Sequence, residues 1–253
     1  MHIKVMGEGA DLVMLHGWSM NSTVWDQLAE RLATCFTLHL VDLPGHGQSD
    51  WQQGALDWDV LLNNLANELP QTAYYVGWSL GGLISIAFAE RYPQRVKKLV
   101  LLAATPCFVQ QQDWLYAMDE SVFNAFSVHL SKDQAGTLQR FLLLQARGSH
   151  HSRDTINTLA EKLSVDNPPH AEALKAGLAL LIETDKRKAL STLSCPIHAI
   201  LGDRDTLIPK AVLHDLEQLN AQVETTLLAG GGHAPFISQA TECQHAIEQF
   251  LND

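Results

Sequence analysis

The sequence has few features of a secreted, metal-binding or nucleic-acid-binding protein. Its four cysteines are far apart and form no CxxC pair, so we expect reduced thiols rather than a disulfide framework. Charged residues make up only 18%, with 17 Lys and Arg against 28 Asp and Glu. The resulting formal charge of −11 disfavours nonspecific binding to nucleic acid or to anionic membranes.

Targeting, membrane-spanning and metal-binding patterns are also missing. The stretch MHIKVMGEGADLVMLHGW has no basic region followed by a long apolar run, so we expect no signal peptide. No apolar run is long enough to cross a bilayer. Because the histidines are scattered and no HExxH spacing occurs, we expect neither a metal nor an organic cofactor. These features together favour a cytoplasmic protein, which we expect to be a monomer.

Short apolar runs alternate with amphipathic stretches along most of the 253 residues, of which 46% are hydrophobic. The apolar runs cover residues 12–15, 36–41, 73–76, 99–103, 197–201 and 223–228, and the helical patterns cover 24–33, 58–69, 80–91, 211–219 and 241–251. This alternation is typical of parallel strands joined by crossover helices. The sequence therefore predicts an α/β fold with a mostly parallel sheet and flanking helices.

The alternation breaks off between about residues 107 and 193, where no buried strand is evident. Helical patterns lie at 120–130, 134–145, 153–164 and 172–184, with loop signals at 147–149 and 167–169. We predict an α/β core formed by residues 1–108 and 191–253, with a helical cap inserted at 109–190. Ligands of parallel sheets bind beyond the carboxyl ends of the strands, so a cap inserted there would cover the site.

Ser79 is the candidate nucleophile, since residues 77–81 read GWSLG and match G-x-S-x-G. An apolar run precedes this motif and a helical pattern follows it, which is the strand–turn–helix context of a nucleophile elbow. At the start of a helix, free backbone N–H groups favour a developing oxyanion. A phosphate-binding loop is disfavoured, because no Gly-Lys-Ser/Thr follows.

A serine hydroxyl needs a base, and His233 is the candidate because it follows three glycines after the last apolar run. The alternative is an exposed loop histidine. Asp203 and Asp205 both follow the run at 197–201 and could orient the histidine. We choose Asp205, which lies just before three apolar residues, and expect Asp203 to cap the turn or to pair with Arg204. The order Ser, Asp, His along the chain is that of α/β-hydrolases.

Two backbone N–H groups are expected to form the oxyanion hole. One is that of Leu80, directly after the nucleophile, and the other is that of Trp18 in the loop after an early strand. We expect His16 to brace this loop by hydrogen bonds rather than to act as a base. The loop at 42–47 is expected to pack beside the site, with no chemical role for His46.

Several segments carry a likeness to a known family. They are residues 16–18, 38–45, 77–83, 105–108, 140–142 and 233–238, which read HGW, LHLVDLPG, GWSLGGL, TPCF, RFL and HAPFIS. Together they resemble the α/β-hydrolase superfamily across the whole chain. Within it, the combination resembles the pimeloyl-acyl carrier protein methyl ester esterases of biotin synthesis.

The resemblance implies that Ser79 attacks the methyl ester of a pimeloyl chain held on acyl carrier protein, and that methanol leaves. It implies substrate contacts from Trp18, Ser79, Leu80, Phe141, Gln145 and His233. For Phe141 the alternative is a core residue of a cap helix.

The resemblance also implies that cap arginines bind the acidic carrier, and Arg140 and Arg153 fall at matching positions. Two further arginine positions of the family are occupied here by Gly136 and Asn157, and Arg147 is the candidate to compensate. The alternative is that these arginines are simply solvated.

Two other classes of function stay open from the residues alone. One is another hydrolase of the same fold, either a general short-chain carboxylesterase or a carbon–carbon bond hydrolase, with the same three residues. The other is a noncatalytic ligand receptor, which the presence of all three candidate residues argues against.

Overall fold

A seven-stranded sheet forms the centre of the molecule. The computed structural model describes residues 1–163 and 168–253. The strands are β1 (His2–Met6), β2 (Ala10–Leu15), β3 (Phe36–Asp42), β4 (Ala73–Trp78), β5 (Val96–Leu102), β6 (Ile197–Gly202) and β7 (Val223–Leu228). Their order is β1-β3-β2-β4-β5-β6-β7, and all neighbours are parallel except β1 and β3. The predicted α/β fold class and all six predicted strands are confirmed.

The central strands are mostly buried, and apolar residues predominate in their buried parts. All six residues of β6 are buried, as are the last four of β2 and of β5. Strands covered on both faces by helices have this composition. β1 is instead a half-exposed antiparallel edge strand, and its mixed sequence HIKVM contains no such run. The apolar runs therefore do not predict it.

Helices connect the strands and cover both faces of the sheet. They are α1 (Asp26–Leu32), α2 (Trp58–Glu68), α3 (Leu80–Arg91), α4 (Glu120–Lys132), α5 (Gln134–Ala146), α6 (Ser152–Lys162), α7 (Ala171–Glu183), α8 (Arg187–Thr192), α9 (Val212–Leu219), α10 (Pro235–Ser238) and α11 (Ala240–Asn252). Because the strand order reverses direction after β3, right-handed connections put α1 on one face and α2, α3, α8 and α9 on the other. The helix contacts agree with this arrangement. α3 contacts α2 and α8 on its face, and α11 packs on α1 on the other.

Five described helices, α4 to α8, lie between β5 and β6, and the first four form the inserted layer. α5 packs on α4 and α6, and α7 contacts both α4 and α3. The chain enters and leaves this insertion at neighbouring points, since the Lys186 N–H donates to the Pro106 carbonyl at 2.8 Å. The division into a core and a cap at 109–190 stays a prediction. The predicted boundary at residue 190 falls within α8, which packs on α3 and α9. The end of the predicted helix 153–164 and the first residue of the loop at 167–169 lie outside the described residues.

The described part of the chain has neither a membrane-spanning helix nor a metal-binding cluster. In residues 1–163 and 168–253, none of the helices combines the length and apolar character needed to cross a bilayer. Within the same residues, no group of three or more His, Cys, Asp and Glu side chains is arranged to hold a metal ion. All four cysteines are free.

A buried arginine, Arg95, caps the C-terminal end of α2. Arg95 is only 7% exposed, and its guanidinium donates to the carbonyls of Ala66, Leu69, Pro70 and Gln71 at 2.6 to 3.2 Å. The last carbonyls of a helix have no partner within the helix, and a basic side chain can satisfy them. Arg95 therefore fixes the turn that leads from α2 into β4.

We expect Arg95→Met to lower the free energy of unfolding by about 3 kcal/mol, because it leaves several buried carbonyls unpaired. The matched control is Arg91→Met, which removes an arginine whose partner, Asp59, is exposed. Urea unfolding should separate the two variants. Equal midpoints would contradict the role given to Arg95.

Candidate active site

Ser79 lies in the sharp turn between β4 and α3. Its backbone is in the left-handed region, with φ 53° and ψ −116°, which is strained for a residue with a side chain. The Ser79 N–H donates to the Leu102 carbonyl at 3.1 Å, which ties the turn to β5. A Cβ on Gly81 would collide with the Leu15 carbonyl, and one on Gly77 with the backbone of Gly81. The glycines of the motif are therefore required by close backbone approach.

His233 lies between Ser79 and Asp205. Its Nε2 is 3.0 Å from Ser79 Oγ, and its Nδ1 is 2.8 Å from Asp205 Oδ2. The carboxylate can only accept, so Nδ1 carries the proton and Nε2 is free to accept from the serine hydroxyl. All three side chains are buried. The structure thus brings together the three residues that the sequence marks as candidates, in the arrangement of a nucleophile, a base and an orienting acid.

The two neighbouring aspartates have different partners. Asp205 Oδ1 accepts from the N–H groups of Leu207 and Ile208 at 2.8 and 3.0 Å, which leaves Oδ2 facing His233. Asp203 Oδ1 instead accepts from the Gly230 N–H at 2.7 Å and so holds the loop that leads to His233. Arg204 donates to the Gly148 carbonyl rather than to Asp203. Asp203 thus holds the loop at Gly230, and the expected pairing with Arg204 is wrong.

The backbone of His233 is also held on both sides. The His233 N–H donates to the Gln145 carbonyl at 2.9 Å, and the Trp78 indole donates to the His233 carbonyl at 2.8 Å. Gln145 lies in the last turn of α5, whose carbonyl end carries partial negative charge. The last turn of α5 thus anchors the backbone of His233. The Trp78 contact was not predicted, although Trp78 lies inside the elbow motif.

The two candidate oxyanion donors come from adjacent backbone segments. Trp18 follows β2, and Leu80 is the first residue of α3. The close approach of Gly81 to Leu15 brings the start of α3 against the end of β2. The Trp18 indole donates to the Leu174 carbonyl at 2.8 Å, which fixes this loop beneath α7. Backbone donors at a helix start are suited to a developing oxyanion, and the assignment of these two stays a prediction.

A pair of buried histidines supports the loop that carries Trp18. His16 Nδ1 donates to the Gly17 carbonyl at 2.8 Å, and its Nε2 accepts from the Leu43 N–H at 3.0 Å. Its ring lies 5.3 Å from that of His46. Burial lowers the pKa of His16, and burial together with the neighbouring His16 lowers the pKa of His46 to about 3. Both rings are therefore neutral, which fits a bracing role for His16.

Residues of the cap cover the space next to Ser79. Phe141 meets Trp18 edge to face, with ring centroids 4.8 Å apart. A Cβ on Gly177 would lie 3.0 Å from Trp18 and 3.3 Å from Leu80, so α7 packs directly on these residues. The Gln145 amide is 1% exposed, and neither its oxygen nor its nitrogen has a hydrogen-bond partner within the described residues. An unpaired buried amide is available to a bound ligand.

The three candidate carrier-binding arginines are on the outside of the cap. Arg140 lies on α5, Arg147 follows that helix, and Arg153 lies in the first turn of α6; all three are exposed. None forms an ion pair with a described residue. Their guanidinium groups thus face solvent without a carboxylate partner in residues 1–163 and 168–253.

Comparison with known proteins identifies the family. A model described as alpha/beta hydrolase fold matches residues 12–240. The chain belongs to the α/β-hydrolase family. Two relatives, from Xanthomonas oryzae pv. oryzae (strain MAFF 311018) and Stenotrophomonas maltophilia (strain R551-3), are each 43% identical over 251 residues and are named pimeloyl-[acyl-carrier protein] methyl ester esterase. The alignments cover 99% of this chain and 98% and 96% of those proteins, so the chain belongs with these esterases inside the α/β-hydrolase family.

Solved structures show the same α/β-hydrolase fold. An esterase from Exiguobacterium antarcticum matches with a TM-score of 0.88 at 20% identity, covering 100% of this chain and 95% of that one. The enol-lactonase from Burkholderia xenovorans LB400 matches with a TM-score of 0.86 at 19% identity, covering 100% and 96%. At 20% and 19% sequence identity, these two structures show only that the fold is shared.

The two aspartates provide a matched pair of variants. We expect Asp205→Asn to lower kcat about 10⁴-fold, because an amide cannot hold the required histidine tautomer or stabilise the imidazolium. Asp203→Asn should leave kcat within a few-fold and instead lower the unfolding midpoint, since it only weakens the bond to Gly230. Steady-state ester hydrolysis and urea unfolding measure both effects. The reverse pattern would make Asp203 the orienting acid.

The buried histidine pair predicts acid sensitivity. His46 binds a proton less readily folded than unfolded, so stability falls as the pH drops below 6.5 towards 3. Between pH 7.5 and 5.0 this one group should remove about 2 kcal/mol of stability. Urea unfolding at both pH values should show a smaller loss for His46→Asn than for the wild type. An identical pH dependence in the two proteins would contradict the assignment.

Proposed function

We propose that this chain hydrolyses the methyl ester of a pimeloyl chain carried on acyl carrier protein, releasing methanol and the free carboxylate for biotin synthesis. The supporting observation is the buried Ser79–His233–Asp205 hydrogen-bond chain in a protein 43% identical to esterases of that name. Following the expectation from the sequence, we place the reaction in the cytoplasm, with the enzyme acting as a monomer and without a cofactor.

In the first step, Ser79 Oγ attacks the carbonyl carbon of the methyl ester while His233 Nε2 takes the hydroxyl proton. The bond from carbon to the methoxy oxygen then breaks, and His233 returns the proton to the leaving oxygen as methanol departs. Asp205 stays ionised and stabilises the transient imidazolium through Nδ1. The product of this step is an ester between Ser79 and the carrier-bound pimeloyl chain.

In the second step, water attacks the same carbonyl carbon, and His233 takes one of its protons. The bond to Ser79 Oγ breaks, and the serine regains the proton from His233. In both steps the carbonyl oxygen becomes an oxyanion, which we assign to the N–H groups of Trp18 and Leu80. Their preorganisation beside the start of α3 lowers the barrier without reorganisation during reaction.

The acyl chain would lie between the core and the cap. Trp18 and Leu80 lie on the core side of this boundary, where Phe141 of the cap packs directly on Trp18. The unpaired amide of Gln145 is the polar group available to an ester oxygen. A substrate with apolar methylenes between two polar ends fits an apolar boundary that contains a buried amide without a partner among the described residues.

Carrier binding would use the exposed arginines Arg140, Arg147 and Arg153. Because the enzyme itself has a formal charge of −11, an acidic partner requires local positive charge. α5 connects this surface to the base, since Arg140 lies on it and its Gln145 carbonyl accepts from the His233 N–H. Docking on α5 would therefore occur on the helix that holds His233 in place.

The substrate assignment is tested by methanol release from methyl-pimeloyl carrier protein, compared with hydrolysis of a short p-nitrophenyl ester. We expect a higher kcat/KM for the carrier-bound ester. The double variant Arg147→Glu/Arg153→Glu should lower that kcat/KM at least tenfold at low salt, and less at high salt. The matched control is the double charge reversal Lys97→Glu/Lys188→Glu, at exposed positions on β5 and α8, which should leave kcat/KM for both substrates unchanged.

An enzyme that ignores the carrier-bound ester while hydrolysing simple esters well would be a general carboxylesterase. A protein that hydrolyses neither would point to a ligand receptor or to carbon–carbon chemistry. A genetic test is independent of these kinetics. The gene should restore growth without biotin to a bacterium that lacks this esterase.

A further inference from the structure

Ser19 has a strained backbone in the turn that follows β2. The Met20 N–H donates to the Gly17 carbonyl at 3.3 Å, so Trp18 and Ser19 are the two central residues of this turn. The φ of Ser19 is 68°, and the third position of a turn with positive φ normally takes glycine. The nucleophile Ser79 has the same kind of strain, with a φ of 53°.

The hydroxyl of Ser19 is also buried without a partner. The residue is 1% exposed, and none of the described residues forms a hydrogen bond with its Oγ. An unpaired hydroxyl in the interior lowers stability. A glycine at this position would avoid both the strained backbone and the unpaired group. Strained and unpaired groups of this kind are concentrated at ligand-binding sites.

Neighbouring contacts hold the turn in place. The Trp18 indole donates to the Leu174 carbonyl at 2.8 Å. A Cβ on Gly17 would lie only 2.9 Å from the Trp78 ring, so the backbone of the turn packs directly on that side chain. Because the turn is fixed, the Ser19 hydroxyl cannot move to a distant partner. A group that binds it has to come to the turn.

Ser19 lies directly after a residue of the proposed oxyanion hole. We assign the oxyanion to the N–H groups of Trp18 and Leu80, and Leu80 directly follows Ser79. The start of α3 packs against the end of β2, which brings the turn and the nucleophile together. The ester that Ser79 attacks is therefore the ligand that comes nearest to the turn.

Other unpaired buried hydroxyl groups have a different setting. Tyr75 Oη and Thr155 Oγ1 also lack partners within the described residues. Tyr75 lies in the middle of β4 and stacks on Phe88, with ring centroids 5.2 Å apart, and Thr155 lies on α6. Neither is adjacent in sequence to a proposed oxyanion donor, and neither has a positive φ. Ser19 differs from both in these two respects.

We propose that the Ser19 hydroxyl donates a hydrogen bond to the ester carbonyl oxygen as that oxygen becomes an oxyanion. It is then a third donor beside the N–H groups of Trp18 and Leu80, and its proton stays on Oγ throughout. This inference rests on the proposed function and adds a catalytic residue to it. The donor acts in both steps, because an oxyanion forms during attack by Ser79 and again during attack by water.

The test compares Ser19→Ala with Tyr75→Phe, which also removes a buried, unpaired hydroxyl. Ser19→Ala keeps the Cβ and the backbone strain, so only the hydroxyl is lost. For p-nitrophenyl acetate, kcat should fall about 10²-fold with little change in KM, because the lost interaction is made only in the transition state. Tyr75→Phe should retain the wild-type kinetics.

Inhibitor binding separates an oxyanion donor from a structural role. A trifluoromethyl alkyl ketone forms a tetrahedral adduct with Ser79, whereas the corresponding methyl ketone stays planar. Ser19→Ala should weaken inhibition by the trifluoromethyl ketone by about the same factor as kcat and leave inhibition by the methyl ketone unchanged. Ser19→Gly should give the same results with a urea midpoint no lower than that of the wild type, because glycine relieves the strain.

Each outcome decides the proposal. Wild-type kinetics in Ser19→Ala or Ser19→Gly would overturn it. An equal loss of affinity for the two ketones would overturn it as well, since Ser19 would then shape the pocket rather than bind the oxyanion. A wild type that hydrolyses p-nitrophenyl acetate but not the carrier-bound ester would refute the proposed substrate, while the Ser19 variants would still decide this inference. If the wild type hydrolyses neither ester, both fail.

Discussion

His233 is the residue on which the arrangement of the site depends. Its side chain joins Asp205 to Ser79, and its backbone joins the core to the cap through Trp78 and Gln145. Four hydrogen bonds thus fix one residue that lies in a glycine-rich loop. Without them, a loop of this composition would have many conformations, and the base would rarely face the serine.

The surrounding structure stabilises two features of the site that are unfavourable by themselves, the backbone conformation of Ser79 and the buried carboxylate of Asp205. Ser79 has an unfavourable backbone conformation, which persists because β5 and the close packing of α3 on β2 determine it. Asp205 is a buried carboxylate, and two backbone N–H groups and one histidine satisfy it. Such groups are expensive to bury unless fully paired, and their pairing is what makes the site rigid.

Much of the fold follows from the sequence because its signals are local. The six apolar runs predict the parallel strands, and the GWSLG motif predicts the turn at Ser79. The choice of Asp205 over Asp203 also has a local reason, since the N–H groups of Leu207 and Ile208 orient its carboxylate.

Other features depend on contacts that no local pattern encodes. The edge strand β1 has no apolar run, and the partners of Arg95, Trp78 and Asp203 are set by tertiary packing. The apolar groove lined by residues of α4 and α5 likewise arises only when the two helices are packed together.

The central claim is that Ser79 becomes covalently attached to the carrier-bound pimeloyl chain. A rapid acid quench of enzyme mixed with methyl-pimeloyl carrier protein, followed by intact-protein mass spectrometry, tests it directly. The account predicts a transient adduct with the summed mass of enzyme and carrier less one methanol, mapped by peptide analysis to Ser79 and absent in Ser79→Ala. Methyl ester consumption that continues in Ser79→Ala, or an adduct on another residue, would contradict it.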